Sequence, residues 1–190
     1  MAKRFVFLEI RDPEINALVG WLREAAMSAP SRHNVHITIR GPYSREIPEA
    51  QLASYQSVLR ADPLVLEGVD SFKAGSRHVV YLKVQHPKLR KVWWKPDFPI
   101  KTYGFNPHVT IFEGTDEARA NAVLQFLRRE KLSVLTWDFE VTARVSDHRD
   151  LFTEPLRKAE PFLKLVNKGL VRADILNRFE RALRATSRAA

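Results

Sequence analysis

The sequence predicts an α+β protein with two related lobes and a helical C-terminal extension. Strand-like and helix-like segments alternate up to about residue 147, a rhythm typical of α/β and α+β domains. Two of the strand-like segments carry near-copies of one motif, which indicates an internal duplication: NVHITIRG at 34–41 and NPHVTIFEG at 106–114. The expected boundaries are a bilobed domain at 1–150, with lobes at roughly 1–85 and 100–150, and a basic helical extension at 151–190.

Composition limits the classes of protein that the chain can represent. It has 190 residues, of which 45% are hydrophobic, enough for one domain or two small lobes that share a core. There are no cysteines, which excludes disulfides, a thiol nucleophile and any cysteine-based metal site. No apolar run reaches the length of a membrane span or of a signal peptide. We expect a cytoplasmic, monomeric protein without a membrane partner.

The charge balance points to anionic partners. The formal net charge is +9 at pH 7 and the pI is about 10.0. A basic surface of this kind favours RNA, nucleotides or another polyanion. The alternative is a basic composition with no specific partner, and the motifs described below favour the first interpretation because they point to phosphate chemistry.

The first half of the chain alternates between strands and helices. Residues 5–10 (FVFLEI) are typical of a buried strand. Asp12 and Pro13 provide an N-cap and a proline at the first helical position. The predicted elements that follow are a helix at 14–27, the first motif strand from about 35, a helix at 49–61, and strands near 64–66, 69–72 and 78–84.

An irregular segment separates the two halves. Residues 86–107 contain four prolines, which exclude a long regular element. The segment also interleaves aromatic rings with Lys and Arg, a composition suited to base stacking beside phosphate contacts. The alternative is a loop whose tryptophans cover the edge of a core. We take Trp94 and Tyr103 as candidate substrate-binding residues from this segment.

The second half repeats the order strand, helix, strands. Helix 117–130 is predicted after an N-cap at Thr115-Asp116, and strands are predicted near 134–135 and 137–145. The extension from 154 to 190 holds nine Lys and Arg against four Asp and Glu, a net charge of +5. It is either an appended helix that grips nucleic acid or a helix packed on the lobes. The second is favoured, because Ile175, Leu176, Phe179 and Leu183 form an apolar stripe.

The two motifs carry the chemistry. Side chains alternate along a strand, so each motif strand places three side chains on one face, namely His36, Thr38 and Arg40 in the first and His108, Thr110 and Phe112 in the second. The opposite face of each strand is apolar and suits a core. One His-x-Thr alone means little, but two matched copies 72 residues apart, from 36 to 108, predict a shared cleft with two imidazoles and two hydroxyls. Arg40 is a candidate phosphate contact, and Phe112 is a candidate for base stacking or for packing at the cleft margin.

This pattern resembles the 2H phosphoesterase superfamily, which includes the LigT-like 2′-5′ RNA ligases and the 2′,3′-cyclic nucleotide phosphodiesterases. The residues that carry the resemblance are the pairs His36-Thr38 and His108-Thr110, and it covers roughly residues 4 to 147. The resemblance implies a bilobed fold with antiparallel sheets that flank a central cleft. It also implies catalysis by these four residues on a 2′,3′-cyclic phosphate or a 2′-5′ linkage of RNA or a small nucleotide.

The chemistry expected of such a site needs no cofactor or metal. Two imidazoles can serve as general acid and general base near neutral pH, and neither motif brings a third metal ligand onto its strand face. Sequences of the Walker type and GxGxxG are absent. The alternative function is a non-catalytic RNA-binding module that retains the fold. The residues alone do not choose the substrate, nor which histidine is the acid.

Overall fold

A computed structural model describes residues 3–28, 34–93, 104–146 and 163–187. The strands in these ranges are β1 (Lys3–Ile10), β2 (His36–Tyr43), β3 (Leu64–Ala74), β4 (Arg77–Gln85), β5 (His108–Gly114), β6 (Ser133–Thr136) and β7 (Phe139–Ser146). The helices are α1 (Pro13–Met27), α2 (Glu49–Leu59), α3 (Leu89–Val92), α4 (Glu117–Glu130), α5 (Leu163–Asn167) and α6 (Ile175–Ser187). No helix in the described ranges is long and apolar enough to cross a membrane.

The strands form two antiparallel sheets. The first sheet has the order β2-β1-β7 and the second has the order β5-β4-β3-β6. Each motif strand, β2 or β5, therefore lies at an edge of its own sheet. The α+β class, the two antiparallel sheets and the helices after them confirm the predicted fold class.

The sheets divide the chain differently from the predicted lobes at 1–85 and 100–150. Strands β3 and β4 pair with each other and, through β4, with β5 of the second motif. Strand β7 returns to the first sheet and pairs with β1 along its whole length, from Lys3 opposite Ser146 to Ile10 opposite Phe139. The order of elements along the chain does not reveal these pairings, because strand pairing depends on long-range hydrogen bonds.

Helix α1 lies deep in the molecule because most of its surface is apolar. Asp12 caps its start, accepting hydrogen bonds from the backbone nitrogens of Glu14 and Ile15 at 3.0 and 3.1 Å, and Pro13 follows as predicted. The helix ends at Ser28, which adopts a left-handed conformation. It contacts β5, α5 and α6, so it lies between the second motif strand and the C-terminal helices.

The described part of the C-terminal extension packs on the rest of the protein. Phe179 of α6 is fully buried, and its ring lies 4.8 Å from that of Phe126 on α4. Arg178 forms an ion pair with the buried carboxylate of Glu130 at 2.8 Å. Glu14 on α1 accepts a hydrogen bond of 2.9 Å from the backbone nitrogen of Leu165 at α5. These contacts favour the packed-helix interpretation of this basic segment.

Candidate active site

The structure brings the two strands that carry the His-x-Thr motifs together at the line where the sheets meet. Strands β2 and β5 are edge strands of different sheets, and they contact each other. We call this line the seam. His36, Thr38, His108 and Thr110 are all half-buried, whereas the residues that alternate with them are buried in the core. The predicted faces of the two motif strands are therefore correct over the His-x-Thr positions.

In the first sheet, the side chains opposite the motif come from β1. His36 pairs across the strands with Glu9, and Thr38 pairs with Phe7. Directly opposed residues in an antiparallel pair share a face, and the rings of Phe7 and His36 lie 4.5 Å apart. Phe7 thus forms an aromatic wall beside the imidazole.

The second sheet repeats this arrangement with β4. His108 pairs with Lys83, and Thr110 pairs with Tyr81. The ring of His108 lies 4.7 Å from that of Tyr81 and 5.7 Å from that of Phe72. An aromatic residue therefore faces each motif threonine and contacts each motif histidine, so the likeness between the halves extends beyond the motifs into the neighbouring strands.

Both imidazoles are held by the same hydrogen bond. Nδ1 of His36 lies 2.9 Å from the carbonyl oxygen of Asn34, and Nδ1 of His108 lies 2.7 Å from that of Asn106. A carbonyl oxygen only accepts, so Nδ1 carries the proton in each ring. The proton that each ring can gain or lose is then the one on Nε2. The two motifs orient their histidines in the same way, through the backbone of the asparagine that opens each motif.

Burial changes the acidity of the second histidine. Loss of solvent lowers the pKa of His108 below its ordinary value, and the hydrogen bond to Asn106 offsets only part of this effect. Burial disfavours the charged imidazolium because a low-dielectric environment solvates it poorly. His108 is therefore poised to be neutral at physiological pH.

Phe112 is buried and does not continue the half-buried face of His108 and Thr110, whereas Arg40 is half-buried like His36 and Thr38. One extra residue interrupts the pairing of each motif strand, between Thr38 and Arg40 in β2 and between Thr110 and Phe112 in β5. Such a bulge places two residues of the motif strand opposite one residue of the partner strand. The cross-strand partners of Arg40 and Phe112 are core residues, Val6 and Val80, each fully buried.

The contacts of these two residues agree with that placement. Arg40 donates hydrogen bonds to the hydroxyl of Tyr43 at 2.8 Å and to the carbonyl of Val92 at 3.3 Å. Phe112 is only 3% exposed and packs in the core, so of the two roles considered for it the packing role fits. Its ring also explains the glycine that ends the second motif, because a Cβ on Gly114 would lie 2.9 Å from Cζ of Phe112.

The candidates from the irregular segment, Trp94 and Tyr103, lie outside the described residues. Trp93, next to them, is buried, and its ring meets that of Phe105 edge-on at 5.3 Å. One ring of the tryptophan pair therefore covers the core.

The sequence analysis missed a charged network beside the first motif. Glu9 is buried and accepts hydrogen bonds from Thr142 at 2.8 Å and Arg144 at 2.9 Å, and it pairs with Arg11 at 3.0 Å. Burial alone would raise the pKa of Glu9, but the hydrogen bonds from Arg144 and Thr142, together with the charges of Arg144 and Arg11, outweigh it and hold the pKa below its ordinary value. In the sequence, the available sign of this network was Glu9, a single acidic residue inside an apolar strand.

The second sheet has a smaller ion-pair network on the same face. Lys83, opposite His108, pairs with Asp70 at 3.0 Å, and Arg128 lies 3.9 Å from the same carboxylate. The hydrogen bond from Lys83 lowers the pKa of Asp70. The alternation of Tyr81 and Lys83 with apolar neighbours along β4 was the signal for these residues. Among the described residues, no three His, Asp or Glu side chains come together as metal ligands.

Two antiparallel sheets, each with a His-x-Thr strand at its edge, match the fold of the 2H phosphoesterase class. A family model described as the 2′-5′ RNA ligase superfamily matches residues 9–151, which is most of the chain. The protein belongs to this superfamily, which confirms the resemblance found in the sequence. A comparison with curated proteins finds no match. Membership supports an enzyme of phosphoesterase or ligase type with RNA or nucleotide substrates.

Proposed function

We propose that the protein is a metal-independent phosphoesterase that acts on a 2′,3′-cyclic phosphate or a 2′-5′ phosphodiester of RNA or a small nucleotide. The observation that carries the proposal is the contact between the two motif strands at the seam, together with the matching Nδ1 hydrogen bonds of both imidazoles. Two proton-transfer groups presented from opposite sheets suit a phosphorus atom placed between them. Thr38 and Thr110 stand beside them as hydroxyl donors.

The proposed hydrolysis divides the proton transfers between the two rings. One neutral imidazole removes a proton from water as the water oxygen bonds to phosphorus, and the bond from phosphorus to one ribose oxygen breaks. The other ring, protonated at the start, gives its proton to that leaving oxygen. Each transfer is worth about 10²–10⁴-fold in rate. The threonine hydroxyls donate to the non-bridging oxygens, where negative charge develops.

The environment of His108 suits the role of base. Burial beside Tyr81 and Phe72 lowers its pKa, so the ring is neutral at pH 7 and ready to accept a proton at Nε2. His36 then supplies the proton to the leaving group. Ligation would run the same steps in reverse with the roles exchanged.

The proposal is tested by turnover of a panel of nucleoside 2′,3′-cyclic phosphates and 2′-5′-linked oligonucleotides in the presence of EDTA. His36→Ala and His108→Ala are each expected to lower kcat at least 10²-fold while substrate binding is retained. His78→Ala is the matched control, since His78 lies near Glu117 on α4 at 4.0 Å and outside the motifs, and it should keep wild-type turnover.

The alternative is a non-catalytic RNA-binding module, which the net charge of +9 favours. It predicts no turnover by the wild type and RNA binding that neither histidine substitution alters. Two histidines oriented by identical hydrogen bonds weigh against it, because binding alone does not need both rings on defined tautomers. Wild-type turnover that persists in both alanine variants would refute the two-histidine mechanism.

A further inference from the structure

We propose that α1 fixes the relative placement of the two motif strands through two buried polar side chains, Asn16 and Arg23, which are positioning residues of the site. The inference rests on the proposed function, because it concerns the alignment of His36 with His108 and the two threonines. Both side chains are only 7% exposed, and each one bonds to the backbone at a motif.

Asn16 holds the start of the first motif strand. Its Oδ1 accepts a hydrogen bond of 2.8 Å from the backbone nitrogen of Val35, the residue before His36. Its Nδ2 donates to the carbonyls of Ile10 at 2.6 Å and Asp12 at 3.0 Å. One amide thus joins the end of β1, the start of α1 and the residue that leads into β2.

Arg23 holds the second motif strand. Its Nε donates a hydrogen bond of 2.7 Å to the carbonyl oxygen of Thr110, at the bulged position of β5. Burial lowers the pKa of Arg23 to about 10, so the guanidinium stays charged at pH 7. The bond places a cation directly behind the backbone of a motif threonine.

A buried charged side chain is not expected to raise the free energy of unfolding above that of a well-packed apolar one. Desolvation of an ion often cancels the interactions that it gains, and apolar residues of similar volume are frequently as stable. Most of the other buried side chains of α1 are apolar, among them Ile15, Leu18 and Leu22. A hydrogen-bonding arginine at this point is therefore better explained by a need for a fixed position of β5.

The spacing of Asn16 and Arg23 along α1 sets the distance between the two backbone groups that the helix holds. Seven residues make about two turns, so Asn16 and Arg23 project from the same side of α1, roughly 10 Å apart along its axis. Asp12 caps the start of the helix. Arg119 of α4 also bonds to α1, but only beyond Arg23 at the C-terminal end, where it donates to the carbonyls of Ala25 and Ala26 and to the hydroxyl of Ser28 and contributes to stability, not to the placement of a motif strand.

The test compares Arg23→Met with Arg119→Met in the full chain. Both remove a guanidinium that donates Nε to a backbone carbonyl, but the described contacts of Arg119 are with the end of α1 and not with a motif strand. Arg23→Met is expected to lower kcat about 10–100-fold with KM within about twofold, since a misplacement of about 1 Å can cost about 10²-fold. Arg119→Met should lower Tm and leave kcat unchanged below its own Tm.

A second readout does not depend on turnover. The Cε1–H resonances of His36 and His108 are expected to shift relative to wild type in Arg23→Met and to stay in place in Arg119→Met. If Arg23→Met does not fold, Arg23→Lys takes its place, because it keeps the charge and loses the planar donor; its kcat should fall about tenfold. Asn16→Ala should likewise lower kcat and shift the His36 resonance.

The outcomes separate the two proposals. If the wild type turns over substrate and the folded Arg23 variants keep its kcat and show unshifted histidine resonances, the positioning role is overturned. The proposed function would then still stand. Equal losses of kcat in Arg23→Met and Arg119→Met at equal Tm would also overturn it, because general destabilisation would then explain both. Failure of the wild type on every substrate would contradict the proposed function, and the histidine resonances would still report on positioning.

Discussion

At the scale of single residues, the two motif histidines make the same kind of hydrogen bond through Nδ1, but the rest of their surroundings differs. His108 lies against two aromatic rings, those of Tyr81 and Phe72, and burial lowers its pKa. His36 contacts Phe7 and lies opposite Glu9. The same motif thus lies in two different environments, which suits the proposed division of roles into one acid and one base.

This difference predicts the pH dependence of the reaction. A base must be neutral, and the pKa of His108 is depressed, so the acid limb of kcat/KM should fall below about 6.5, the ordinary histidine value. Tyr81→Ala would expose the ring and move this limb upward, toward the ordinary value. Tyr81→Phe keeps the ring and should leave the limb where it is. The pH profiles of the three proteins provide the measurement, and a limb that stays fixed in Tyr81→Ala would contradict the assignment.

At the scale of elements, the apolar periodicity of α6 predicts where the helix packs. Its apolar stripe, and not its net positive charge, sets its place against α4 and α1. A helix with one apolar face is stabilised mainly by burying that face.

The packing of α6 predicts a large effect of Phe179→Ala on stability. Removing this fully buried ring should cost about 3–5 kcal/mol of unfolding free energy, because a cavity is left beside Phe126. Arg181→Ala, on the exposed side of the same helix, should change stability by less than about 0.5 kcal/mol. Urea denaturation measures both. A small effect of Phe179→Ala would mean that α6 does not belong to the core.

The elements also show what a sequence can and cannot predict. Period-2 alternation located both motif strands and the correct face of His36 and His108, because that pattern is local. The bulges after Thr38 and Thr110 escaped prediction, since a bulge is defined by its partner strand and leaves no mark in the sequence of one strand. Asn16 and Arg23 escaped for a similar reason: their importance lies in the long-range backbone atoms that they reach.

At the scale of the whole molecule, the strands that the structure describes form two sheets, which share one core. Along the sequence, β1 and β2 belong to the first sheet, β3 to β6 belong to the second, and β7 returns to the first. Helix α1, the strands and α6 contribute to one cluster of buried side chains. Composition and the alternation of helix-like and strand-like segments were enough to predict the fold class. The order of the strands within each sheet could not be predicted, because it depends on which strands pair.

Because of this connectivity, we expect that the lobes proposed from the sequence do not fold independently. A fragment of residues 1–85 would lack β7 beside β1 and β5 beside β4, and both sheets would have exposed edges. We expect it to be unfolded by circular dichroism and by amide NMR, whereas the full chain unfolds in one cooperative transition. A dispersed, native-like spectrum of the fragment would refute this view.

The seam between β2 and β5 has a mechanical consequence. These strands belong to different sheets, so separating them breaks no ladder of backbone hydrogen bonds, whereas widening either sheet would. The relative position of β2 and β5 therefore depends on the packing of the shared core and on the hydrogen bonds from α1 to Val35 and Thr110, whereas ladders of backbone hydrogen bonds hold the strands within each sheet.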